Sequence, residues 1–197
     1  MPNGQSGQSC SVTQFDGGVT VACPGSNPVT VFNGVDASAI VDFATLSPLE
    51  TAQLDPSITV TGVTNAARPV VTFKVTDVKG RGVKNLLPAS INGLTLMKLE
   101  PGTPANGKNI DTWVSYIANC PTCVSSTETA TATSLLSVGD GTYRYTFLKD
   151  IQGPGVDGGT PGATFDAMAP TRLIFRMAST GNPFRPVDVV YEYVPAT

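Results

Sequence analysis

The chain of 197 residues contains no histidine, and that absence removes more chemistry than any motif adds. Without imidazole there is no Ser-His-Asp or Cys-His nucleophile system, no His-ligated zinc and no histidine axial ligand for a haem iron. No remaining side chain has an unperturbed pKa near neutrality. Charge is scarce, at 14% of residues and a net −3, and the twelve Lys and Arg are scattered along the chain. A nucleic-acid partner, which needs clustered basic residues, is therefore not expected. No apolar run approaches the ~20 residues of a membrane-crossing helix, so no transmembrane segment is expected. Residues Met1 to Ser9 lack the basic start and apolar stretch of a signal peptide. Either the protein is cytosolic or a leader has been removed, and the cysteines favour removal.

What is present points to strands. Hydrophobic residues make up 41% of the chain and mean hydropathy is +0.08, enough for a packed core. At ~100–200 residues per domain, the length allows one domain with an extension or two small ones. Thr, Val, Gly and Pro are abundant and long helix-forming runs are missing, the composition of a secreted or surface-exposed all-β protein.

The four cysteines fall into two pairs. Between Cys10 and Cys23, Asp16-Gly17 is a two-residue type I′ turn signal flanked by Thr- and Val-rich arms. Folding about it pairs Phe15 with Gly18, Val12 with Val21, and Cys10 with Cys23. The cysteines then face each other at a non-hydrogen-bonded site, where opposed side chains come closest and a disulfide can close. Such a bond implies maturation in an oxidising compartment. The second pair is Cys120-Pro121-Thr122-Cys123. Haem attachment through this CxxC requires a histidine next, and residue 124 is Val124. A zinc site would need two further ligands, and a thioredoxin-like centre would open a helix. A local loop disulfide between Cys120 and Cys123 is expected, with a redox role as the alternative.

Along the chain, Val29–Phe32 is a third short strand. Ser47-Pro48-Leu49-Glu50 is a capping box with Pro at the first helical position, and Asp55-Pro56 keeps the helix brief. From Ile58 onward strand signals recur: Ile58–Thr61, Val70–Val75, Leu94–Leu99, Trp113–Ile117, Ser134–Val138, Tyr143–Phe147, Arg172–Met177 and Val187–Tyr193. Val71, Phe73 and Val75 share one face, as do Tyr143, Tyr145 and Phe147. Asp77–Gly80 and Gly139-Asp140-Gly141 read as turns. Roughly eight strands at sandwich-like or barrel-like spacing follow, antiparallel because no helical crossovers separate them. The expected divisions are a hairpin module at 1–33, a connector with a short helix at 34–56, and a main β-domain at 57–197.

Candidate sites are few, and the chain is not expected to be an enzyme. Asp157 and Asp166 in a Gly/Pro-rich loop suggest calcium, but their spacing is not that of an EF-hand. Glu50, Asp55 and Asp77 show no glycosidase-like pairing. Trp113, Tyr116, Tyr143 and Tyr145 are core residues by alternation, or else a platform for stacking sugar or flavin. Arg172, Arg176 and Arg185 form a weak candidate docking patch for an acidic neighbour.

Several stretches in order resemble a known family. They are Ile58–Thr64, Val70–Asp77, the Lys98–Thr103 turn, Trp113–Ile117, Val138–Phe147 and the closing Tyr193–Thr197. Together they resemble the N-terminal domain of the OmcA/MtrC family of outer-membrane decahaem c-type cytochromes. The resemblance implies a Greek-key, split-barrel-like domain preceding the first haem-binding domain, on the outer surface of metal-reducing bacteria. It implies the haem domains of the same parent protein as partners, together with an outer-membrane porin–cytochrome complex. It also implies electron transfer to metal oxides or flavins by the parent. The chain departs from the family in having no CxxCH, so no haem ligand carries over and c-type haem is expected only in downstream domains. An excised domain is expected, rather than a complete electron carrier.

The fold class expected is all-β, an antiparallel Greek-key split barrel or an immunoglobulin-like sandwich, with an N-terminal disulfide-clamped hairpin and one short helix. The function expected is that of a haem-free structural or docking domain. The alternatives are an immunoglobulin-like cell-surface adhesin domain and a carbohydrate-binding module.

Overall fold

The computed structural model describes residues 9–15, 18–32, 40–103, 109–117, 126–153, 163–178 and 184–196. The chain forms two compact units, Met1–Asp36 and Ala37–Thr197.

In the first unit β1 (Ser11–Phe15), β2 (Gly18–Ala22) and β3 (Val29–Phe32) make an antiparallel sheet in that order. Phe15 pairs with Gly18 and Val12 with Val21, the register expected from the Asp-Gly signal. The turn residues themselves lie outside the described residues. Cys10 and Cys23 are joined by a disulfide with their Cα atoms 4.1 Å apart, the close approach of opposed residues at a non-hydrogen-bonded site. No side chain described in this unit is buried.

The second unit is a sandwich. Its elements begin with β4 (Val41–Asp42), a 3-10 turn (Phe43–Thr45) and α1 (Pro48–Ala52). Next come β5 (Ser57–Thr64), β6 (Val70–Thr76), β7 (Val83–Lys84), β8 (Ile91–Glu100) and β9 (Thr112–Ser115). β10 (Leu135–Gly139), β11 (Thr142–Thr146), β12 (Thr171–Met177) and β13 (Val187–Tyr193) complete it. One four-stranded sheet has the order β10-β11-β6-β5 and the other β13-β12-β8-β9, with every neighbour antiparallel. The sheets stay open, so the architecture is the sandwich of the two that strand spacing allowed. The two-residue contact of β4 with β7 is parallel, an exception to the antiparallel expectation. It is too short to show any period in sequence and forms between segments far apart in the chain.

Alternation accounts for the core. Val71, Phe73 and Val75 of β6 are fully buried, as are Tyr145 and Phe147 on the β11 side and Leu173, Phe175 and Met177 of β12. Phe73 meets Phe175 across the sandwich with ring centroids 5.2 Å apart, joining the two inner faces. Burying a side chain of this size contributes about 1.5–3 kcal/mol. Val41, Phe43 and Leu54, which flank the helix, belong to the same core.

The helix forms as its sequence directs. The Glu50 amide donates to Ser47 Oγ at 3.3 Å, and Glu50 Oε2 accepts from the Ser47 amide at 2.8 Å, a reciprocal capping box. It ends at Gln53, before Asp55-Pro56. The β10–β11 hairpin turns through Gly139, Asp140 and Gly141, all at positive φ. A Cβ on Gly141 would lie 2.6 Å from the Val75 carbonyl oxygen, so glycine is required there.

Candidate interaction surface

The aromatic candidates divide cleanly. Tyr116, Tyr143 and Tyr145 are buried in the core. Tyr143 donates its hydroxyl to the Val83 carbonyl at 2.9 Å and accepts from the Leu86 amide at 3.1 Å, fixing the β7 loop. Burial pushes all three phenols above their ordinary pKa. These rings therefore make no stacking platform. Trp113 lies on the outer face of its sheet, opposite Leu99, and Arg172 places its guanidinium carbon 4.0 Å from the ring centroid, a cation–π contact.

That outer face runs across all four strands of the β13-β12-β8-β9 sheet. By strand register it carries Trp113 from β9, Met97 and Leu99 from β8, Arg172, Ile174 and Arg176 from β12, and Asp188, Val190 and Glu192 from β13. The arginines singled out from sequence are neutralised on it. Arg172 Nε donates to Glu192 Oε1 at 2.8 Å, and Arg176 Nε to Asp188 Oδ1 at 2.6 Å. The hydrogen bond from Arg176, then its charge, hold the Asp188 carboxyl below its usual range. Exposed pairs of this kind contribute little to stability. Their effect is to give the face balanced charge among half-buried apolar groups, the mixture typical of the edge of a protein–protein contact. Arg185 is exposed in the segment before β13 and pairs with neither acid. The three arginines do not form one basic patch.

The carboxylates are committed to structure. Asp42, Glu50 and Asp77 line one cleft of about 380 Å³, together with Val41, Leu46, Lys79 and Arg81. Asp77 is buried. Its Oδ1 accepts from the amides of Lys79 and Arg81 at 3.0 and 2.8 Å, and its Oδ2 from Arg81 Nε at 2.7 Å. The Ser47 hydrogen bond holds Glu50 below its ordinary range, and the Asn85 amide does the same for Asp42. Carboxylates stabilised in the charged form and already hydrogen-bonded are poor general acids. Asp55 does not line the cleft.

Sequence reasoning missed Glu128. It is 6% exposed, its Oε2 accepts from the Tyr145 hydroxyl at 2.5 Å and the Leu148 amide at 2.8 Å, and its Oε1 from the Lys149 amide at 3.0 Å. Its backbone bridges to Leu94 of β8, so one residue ties the two sheets at that edge. A lone Glu in a Thr-rich stretch gives no sequence signal of this.

Asp166 accepts from the Met168 amide at 2.9 Å in a local turn. Asp157, Cys120 and Cys123 lie outside the described residues. Among the described residues no group of three or more Cys, Asp or Glu is placed to hold a metal ion, and no helix is long and apolar enough to cross a membrane.

No family model matches the chain, and no curated protein matches it by sequence. Among solved structures, the fold is similar to that of MtrC from Shewanella baltica OS185, with a TM-score of 0.51 and 16% identity over 71% of this chain and 22% of that one. It is also similar to the outer membrane decahaem cytochrome OmcA, with a TM-score of 0.62 and 18% identity over 79% of this chain and 24% of that one. The chain thus spans about a quarter of the length of each structure, and at these identities what the three share is a fold, the β-sandwich described above.

Proposed function

We propose that this chain is a haem-free supporting domain of an extracellular multihaem cytochrome. The observation that carries the reading is the likeness of its sandwich to part of OmcA, in a chain with neither histidine nor CxxCH. Side chains that cannot ligate c-type haem leave such a domain the work of flanking and orienting haem-bearing neighbours. The outer face around Trp113 and Arg172 is the surface suited to that packing, since its charges are internally paired and its apolar groups half-exposed. The Cys10–Cys23 bond suits an oxidising site outside the cytoplasm. The partners in this reading are the haem domains of the same parent and a porin–cytochrome complex at the outer membrane. The parent passes electrons to metal oxides or flavins, and this domain takes no catalytic part.

The test is made on native cells. An antibody raised against this chain and an in-gel haem stain are expected to mark the same band, which surface-applied protease removes from intact cells. The chain produced alone alongside the c-type cytochrome maturation machinery is expected to show no Soret absorption. A haem-negative parent band, or a Soret band from the isolated chain, overturns the reading.

A carbohydrate-binding role is not favoured, because three of its four candidate rings are internal and the fourth is covered on one face by Arg172.

A further inference from the structure

The chain remains anchored beyond the point where its last sheet pairing stops. β13 ends at Tyr193, opposite Thr171, and the residues after it are held from two sides. From the β5–β6 loop, Asn65 Nδ2 donates to the Pro195 carbonyl at 3.3 Å, and Asn65 Oδ1 accepts from the Tyr193 hydroxyl at 3.0 Å. From the segment before β12, the Ala167 carbonyl accepts from the Ala196 amide at 2.9 Å. Between these two holds, Pro195 fixes its own φ. The chain leaving β13 is thus tied to the opposite sheet as well as to its own.

Both anchors are themselves fixed. In the loop that Asn65 opens, the Ala67 carbonyl accepts from the Ile151 amide at 2.7 Å, and the carbonyl of buried Pro69 from the Phe147 amide at 2.9 Å. Gln152 Nε2 donates to the Asn65 carbonyl at 3.4 Å. Ala167 lies in a turn where Asp166 Oδ1 accepts from the Met168 amide at 2.9 Å, and the Asp166 amide donates to the Tyr116 hydroxyl at 3.3 Å. The Tyr193 ring stacks on Tyr191 with centroids 5.8 Å apart, which steadies the phenol.

The chemistry calls for an amide at position 65. A proline carbonyl can only accept, so Nδ2 faces Pro195 and Oδ1 is left for the Tyr193 hydroxyl. Asparagine supplies donor and acceptor from one planar group. Aspartate, of the same size, keeps the acceptor and loses the donor.

We propose that Asn65 is a positioning residue that clamps the exit of the chain, fixing the direction in which it leaves the sandwich at Ala196. In the function proposed above, on which this rests, a haem-bearing neighbour follows the domain in the chain. A tether free to swing would let that neighbour sample many separations from the sandwich. An exit pinned to both sheets holds it at one. Orientation is then set by residues 193–196 and their anchors, and surface contact adds to it. The clamp consists of a few hydrogen bonds at half-buried or exposed positions, so it opens at far lower cost than the sandwich unfolds.

Hydrogen exchange of this chain alone reads the clamp. Asn65→Asp deletes the donor to Pro195, and exchange at the Ala196 amide is expected to quicken about 10-fold, the worth of one hydrogen bond. The β6 amides are expected to keep their protection. Tyr193→Phe removes the hydroxyl that aligns the Asn65 amide and is expected to act in the same direction. In the full haem-bearing parent, a nitroxide in place of Lys74, exposed on β6, reports its separation from the nearest haem iron by pulsed electron spin resonance. One narrow distribution is expected, broadened by Asn65→Asp. Ala196 exchange unchanged in both variants overturns the proposal, as does a distribution that is broad in the wild type or unaltered in the variant. Protection lost throughout β6 in Asn65→Asp also overturns it, since the residue would then hold the sandwich and not its exit. A parent without haem overturns the proposed function instead, and Ala196 exchange still decides the clamp.

Discussion

Removing the Cys10–Cys23 bond by the double substitution C10S/C23S is expected to unfold the first unit locally. The bond spans a sequence separation of 13, closing a loop of about 14 residues. In the chain-entropy treatment this stabilises the folded state by about 3 kcal/mol. Against it stand three strands of four or five residues, none with a described buried side chain. An isolated hairpin is marginal in water, and among the side chains described in the β2–β3 pairing none is buried in a way that would replace the clamp. Hydrogen exchange read by mass spectrometry is the direct assay. Protection of the β1 and β2 amides is expected to fall about a hundredfold, with β6 serving as an internal marker that the sandwich remains folded. Undiminished protection of β1 and β2 in the double variant would refute the reasoning, because it would show stabilisation of that sheet by something other than the crosslink.

Four further outcomes follow from the sandwich. Tyr145→Phe, which takes one hydrogen bond from a buried carboxylate, is expected to destabilise by about 1.5–3 kcal/mol in denaturant melts. Glu128→Ala, which strands a phenol and two amides, is expected to lose more, about 3–5 kcal/mol, at about 1–3 kcal/mol for each buried donor left without its partner. Gly141→Ala combines a positive φ with a 2.6 Å approach to the Val75 carbonyl, and a loss of about 2–3 kcal/mol is expected in the same melts. The phenols of Tyr116, Tyr143, Tyr145 and Tyr193 are all raised by burial. Since the folded state favours the neutral form, this contribution is complete below the unfolded value near about 10 and is lost as pH rises beyond it. The melting temperature is expected to fall above that pH, with phenolate absorbance appearing together with unfolding.

Local chemistry was legible in the sequence, and distant pairing was not. The register of the first hairpin follows from Asp16-Gly17, and α1 from Ser47, Pro48 and Glu50, because each signal lies within a few residues of its effect. The inner faces of β6 and β11 follow from strict alternation through Phe73 and Tyr145. β4 and β7 could not be read, since two residues hold no period and their partner lies some forty positions away. The same holds for Glu128, whose donors come from Tyr145, Leu148 and Lys149. The arginine cluster looked like a basic patch because sequence lists Arg172 and Arg176 together, whereas β13 brings Glu192 and Asp188 opposite them. Pairing across strands cancels a charge pattern that looks one-sided when read along the chain.

The Glu128 carboxylate also constrains the order in which the sandwich assembles. Burying a carboxyl group before its hydrogen-bond donors are in place is costly, so residues 126–130 are expected to settle against β8 only after the corner at Leu148 and Lys149 has formed. That corner depends in turn on β11 lying beside β6, where the Phe147 amide meets the Pro69 carbonyl. Late docking of this polar seam onto two sheets already formed is expected, so that a substitution at Glu128 hastens unfolding more than it slows folding, which the two limbs of a chevron plot would read.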